Sequence, residues 1–88
     1  MFKISKSNRT SILLGKNIIY FRQLNNWSQD TLSQLMCCDK SYLSQIENAH
    51  HSASTDYIER LCQTFKIEPK ELFENRDFNL KSRVDSRK

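Results

Sequence analysis

One glycine, Gly15, and one proline, Pro69, are all that 88 residues contain. Tight turns draw on these two residue types at fixed places, so a chain this poor in both has little material for hairpins. Ser, Leu and Lys are the commonest residues instead. The expectation is an all-α domain with short connections. At this length one small domain buries just enough surface to fold alone, and a dimer contact fits that marginal size.

The apolar pattern resolves five helices. The first covers about residues 11–25, with Leu14, Ile18, Phe21 and Leu24 on one face. Ser28 is a good N-cap for the second, where Trp27 packs on Leu32 as a hydrophobic staple and Leu32, Leu35 and Met36 form the buried stripe. Asp39 repeats the device for the third, over about residues 39–47, its carboxylate accepting the free amides of the first turn while Cys38 packs on Leu43. Ser54 caps a fourth helix with Ile58, Leu61, Cys62 and Phe65 as its stripe, expected to be the most buried. Pro69 opens a fifth at its first helical position, with Ile67 packing on Leu72 and an end near Asn75. The division is a basic N-terminal arm (1–10), a globular domain (11–75) and a C-terminal tail or dimer extension (76–88).

The net charge of +4 points to an acidic partner, but its distribution weakens that inference. Residues 12–80 carry seven Lys and Arg against nine Asp and Glu, so the basic excess sits at the two ends. Such ends read equally as solvated termini or as arms along a phosphate backbone. The apolar runs 12–14 and 18–21 are too short to cross a membrane and no basic-then-apolar leader opens the chain. A cytoplasmic protein with no membrane partner is expected.

Cys37, Cys38 and Cys62 are odd in number and form no C-x-x-C pair. Cys37, Cys38, His50 and His51 can be drawn as a metal site, but adjacent ligands do not match zinc spacings. The reading is Cys38 and Cys62 in the core, Cys37 in a turn, and no metal or cofactor.

"SQDTLSQLMCCDKSYLSQIE", residues 28–47, sets two short helices about a turn apart. Two helices joined by three or four residues cross steeply, and in a helix-turn-helix the second projects with its N-terminal half free to enter the DNA major groove. On the third helix here only Leu43 and Ile46 are firmly apolar, so the rest of it faces outward. Gln suits adenine and Lys the acceptors of guanine. Lys40, Ser41, Ser44 and Gln45 are therefore candidates for DNA base contacts, although the two serines read equally as ordinary surface residues.

Through "LGKNIIYFRQ", "WSQDTLSQ", "SYLSQIEN" and "IEPKELF", residues 14–73 resemble the Cro and repressor type of helix-turn-helix domain, the XRE family. Within it, "DKSYLSQIE" resembles the controller proteins of restriction–modification systems. The resemblance implies a five-helix lambda-repressor-like fold. It implies that Gln29 bonds a phosphate and braces the recognition helix, a reading its place beside a capping Ser supports. Lys40, Ser41 and Gln45 match base-contacting positions and Ser44 an occasional one. Tyr42 matches a backbone contact, though its ring can instead pack on the domain. Asn48, His50 and His51 match the segment that follows the phosphate strand. Arg22 and Glu47 match a structural pair tying the first helix to the end of the third.

The family commonly has Gly where this chain has Cys37, Ala49 and Lys66, positions that often take a left-handed backbone. With His50 and His51 where Lys or Arg is more usual, DNA binding is expected to tighten as pH falls through the imidazole range, near ~6.5.

These readings make the chain a sequence-specific transcription regulator that binds double-stranded DNA as a homodimer on a palindrome. The alternative is an antitoxin or adaptor of the same fold that holds a partner protein. An enzyme is the poorest reading, because no nucleophile constellation, metal set or phosphate-cradling glycine loop is present in the sequence.

Overall fold

The computed structural model describes residues 8–76 and 78. Four α-helices, α1 (Arg9–Leu24), α2 (Gln29–Leu35), α3 (Lys40–Glu47) and α4 (Thr55–Phe65), are followed by a 3-10 helix, Pro69–Phe73. The last element is thus a tight 3-10 turn rather than a fifth α-helix, and it stops at Phe73. α1 begins at Arg9, inside what the sequence reads as an arm, because Asn8 caps it: the Asn8 side-chain oxygen accepts from the Ser11 amide at 2.8 Å. Residues 1–7 of that arm, and residues 77 and 79–88 of the tail, including Leu80 and Val84, lie outside the described residues.

Ser28 and Ser54 cap as their sequence positions imply, accepting from the amides of Thr31 (3.0 Å) and Tyr57 (3.1 Å). Asp39 does not: it occupies the N-cap of α3 in extended conformation, but its side chain makes no cap hydrogen bond. At the 3-10 helix the Glu68 amide donates to the Glu71 carboxylate at 3.1 Å.

The helix ends repeat one device. Asn26, Cys37, Ala49 and Lys66 all have left-handed backbone, with φ between 54° and 62°. After α1 the amides of Asn26 and Trp27 return to the carbonyls of Gln23 and Arg22; Cys37 and Cys38 do the same to Gln34 and Ser33, and Ala49 and His50 to Ile46 and Gln45. This double closure satisfies carbonyls a helix end leaves open. Asn tolerates the conformation; the other three residues adopt it against the Cβ penalty.

α3 sits between α1 and α2, while the 3-10 helix packs on α1 and α4. Ile18, Leu32, Leu43, Ile46, Leu61 and Leu72 are fully enclosed. Trp27, expected over Leu32, stacks on Phe65 with ring centroids 5.8 Å apart. Three stripes differ from the expectation at their edges. Leu24 and Leu35, each the final residue of its helix, are 63% and 52% exposed. In α4 the buried positions are Tyr57, Leu61, Cys62 and Phe65, with Ile58 only half-buried. Cys62 lines the core, and burial, followed by the charges of Glu59, Glu68 and Glu71, pushes its thiol ionisation up. Cys38 is half-buried and Cys37 exposed.

Asn17 is a buried polar residue that the apolar pattern hides. Its amide donates to the Leu13 carbonyl (3.0 Å) and the Glu74 carbonyl (2.9 Å), and its oxygen accepts from Arg76 Nε (2.7 Å). Arg76 also donates to the Glu71 carbonyl at 2.8 Å and lies over the Tyr20 ring at 4.5 Å. The segment after the 3-10 helix is thereby fastened to α1. Among the described residues no helix is long and apolar enough to cross a membrane.

Candidate nucleic-acid interface

α2 and α3 are joined by four residues, 36–39. The sequence enforces this short joint twice: the left-handed Cys37 closes α2, and Arg60 of α4 donates through Nη1 to the Met36 carbonyl at 3.0 Å. Leu43 and Ile46 then pin α3 to the core. Lys40, Ser41 and Gln45 are exposed and Ser44 half-exposed, so the structure puts the base-contact candidates on the outward side of α3.

The inner end of α3 is clamped by charge. Arg22 donates to Glu47 in a two-point fork, Nε to Oε2 at 2.8 Å and Nη2 to Oε1 at 3.0 Å. Gln29 Nε2 adds a third bond to Oε1 at 2.8 Å. The Glu47 side chain is 2% exposed and that of Arg22 15%. A carboxylate so enclosed is held only because several donors replace its water. Arg22 Nη1 also donates to the Trp27 carbonyl at 3.1 Å, so one side chain ties α1, the loop before α2 and α3 together. Gln29, read as both phosphate ligand and brace, is seen here as the brace.

Lys40 stands 3.3 Å from Asp30 Oδ1, and both side chains are more than half exposed. Such a pair is weak and readily exchanged for another anion. Tyr42 packs its ring edge-on against Tyr57 at 5.0 Å and lies 5.5 Å from His51. Behind it Tyr57, 7% exposed, shares a contact of 3.6 Å with the Cys38 thiol. Burial foremost, then that bond and the charges of Cys38, Tyr42 and Glu47, push the Tyr57 phenol well above its ordinary range.

Beyond α3, Asn48 returns its amide to the Ser44 carbonyl at 2.9 Å, and His50 and His51 are exposed. Gln45, His50, His51 and Ser52 line an open concavity beside the helix. The sequence-selected residues thus fall into an outward row on α3, a histidine-bearing loop next to it, and the Arg22, Gln29 and Glu47 clamp beneath. Among the described residues no three His, Cys, Asp or Glu side chains converge to hold a metal ion. Sequence reasoning missed Asp30, visible in retrospect as an acidic first-turn residue of α2, and Tyr57, whose burial follows from the register of α4.

Residues 18–72 match the family model described as helix-turn-helix. The restriction–modification controller protein C.AhdI from Aeromonas hydrophila superposes with a TM-score of 0.68 at 32% identity, over 72% of this chain and 96% of that one. A hypothetical transcription factor, NHTF from Neisseria, shares the fold with a TM-score of 0.73 at 21% identity, over 93% of each chain. No curated protein sequence matches the chain. With four motifs in register, a four-residue joint between α2 and α3, and a family match over more than half its length, the chain belongs to the XRE-type helix-turn-helix family.

Proposed function

We propose that the protein is a sequence-specific DNA-binding transcription regulator that acts as a homodimer on a palindromic operator. The observation that carries this is the division of α3: Leu43, Ile46 and Glu47 are buried, whereas Lys40, Ser41 and Gln45 are exposed. A short helix fixed on one side and polar on the other is what insertion into a major groove requires. The controller protein of similar sequence supports the regulatory reading.

In this account α3 enters the groove. Gln45 bonds adenine in two-point fashion and Lys40 turns from Asp30 to guanine, with Ser41 and Ser44 beside them. Tyr42, Asn48, His50, His51 and the remaining amide hydrogen of Gln29 meet the phosphates, which fix register without reading sequence. Two copies related by a two-fold axis place their α3 helices one DNA turn apart, roughly 34 Å. Affinity then comes largely from phosphate contacts and falls steeply with salt.

Selection from a random duplex pool tests the proposal, followed by titrations of Lys40→Ala and Gln45→Ala on the selected sequence. The expected result is a palindrome in which each variant relaxes preference at particular positions at a cost of about 1–3 kcal/mol. Absence of any motif, with variants that bind like wild type, would send the search to a protein partner instead.

A further inference from the structure

Where α1 meets the end of α3 there is no room for a side chain. A Cβ on Gly15 would stand 2.4 Å from the Glu47 carbonyl oxygen, 2.9 Å from its carbon and 2.9 Å from the Ile46 carbonyl oxygen. All three are backbone atoms, so no change of rotamer relieves the overlap. Nor does backbone conformation call for glycine here, because Gly15 lies within α1 and has no positive φ. In a helix interior glycine is worse than alanine. Close approach is what the position serves.

Gly15, Ile18 and Arg22 stand at i, i+3 and i+7, on one stripe of α1. The stripe grips Glu47 twice, by its main chain at Gly15 and by its carboxylate at Arg22. We propose that Gly15 is a specificity-determining positioning residue: its missing side chain sets how deep the end of α3 sits, and so the angle at which Lys40, Ser41 and Gln45 leave the surface. This rests on the assignment of DNA reading to α3. Ordinary contact begins at 3.4 Å. A methyl group therefore shifts the Glu47 carbonyl by about 1 Å, with the surroundings yielding as they do in any overpacked site. α3 has eight residues, a length of roughly 12 Å, so lifting one end tilts the whole helix. Functional side chains must be held within about 0.5 Å of their working geometry.

The test compares Gly15→Ala with Leu72→Ala, a core truncation in the 3-10 helix. Leu72 lies in the 3-10 helix that packs on α1 and α4, and both variants are studied in sucrose, which favours the compact state, at a level where helix content equals that of wild type. On the sequence selected by wild type, Gly15→Ala is expected to lose about tenfold in affinity and to discriminate less between that sequence and its single-base variants. Leu72→Ala keeps the wild-type preferences. The amide shifts of Lys40–Glu47 should move in free Gly15→Ala and stay put in Leu72→Ala. Unmoved shifts with unchanged preferences overturn the proposal, and so does a Gly15→Ala chain that reaches no folded state, because α3 must yield and remain folded. If wild type itself selects no sequence, the DNA reading falls separately, while the amide shifts still decide whether Gly15 seats α3.

Discussion

Glu47 joins stability to presentation in a single carboxylate. It accepts from Arg22 twice and from Gln29 once, and its own main chain rests on Gly15. Removing it leaves the Arg22 guanidinium, only 15% exposed, without its counter-charge. Glu47→Ala should cost about 3 kcal/mol, read as a fall in thermal midpoint of about 12 °C or more. A midpoint within a few degrees of wild type would show that the clamp holds α3 without supporting the fold. Tyr57 makes a second prediction at this scale. Its phenol is kept protonated in the folded state by burial and its neighbours, while in the unfolded chain it ionises near ~10. The stability it contributes is whole below that pH and is lost as pH rises above it. Urea midpoints between about pH 9 and 11 should therefore fall more steeply for wild type than for Tyr57→Phe; equal slopes contradict the assignment. The pair of Arg22 and Glu47 was legible through family resemblance, but Asn17 was not. Its partners lie 57 and 59 residues away, and no local pattern announces them.

At the scale of elements, the sequence spoke most clearly where a cap residue precedes an apolar stripe. Ser28 and Ser54 are such places. It misled where geometry decides: Asp39 has the chemistry of a cap without the bond, and Ile58 fits the apolar step of α4 but yields the buried position to Tyr57, an aromatic with a polar tip. The left-handed ends at Cys37, Ala49 and Lys66 were expected from resemblance and are present, joined by Asn26. They carry a cost that glycine would not. Lys66 is exposed, so Lys66→Gly should raise stability by about 0.5–1 kcal/mol, the relief of the Cβ penalty reduced by the extra freedom glycine brings to the unfolded chain. Chemical denaturation measures it, and a loss of stability would mean that the lysine stem contributes more than its backbone costs.

For the whole molecule, the candidate interface of the described domain lies along α3 and the loop that follows it. α3 and the loop bearing His50 and His51 are adjacent, whereas α4 and the 3-10 helix close the core behind them. Net charge gave a weak indication of an acidic partner, because the basic excess sits at the chain ends while residues 12–80 are mildly acidic. The site became legible only from the spacing of two short helices and the polarity of the second. The most direct test is titration of isotope-labelled protein with duplex DNA at low salt, following every backbone amide. The account predicts the largest shifts at Gln29, through Lys40–Glu47 and at residues 48–52, fading as salt rises. Shifts confined to α4 and the 3-10 helix, or none at all, would contradict it.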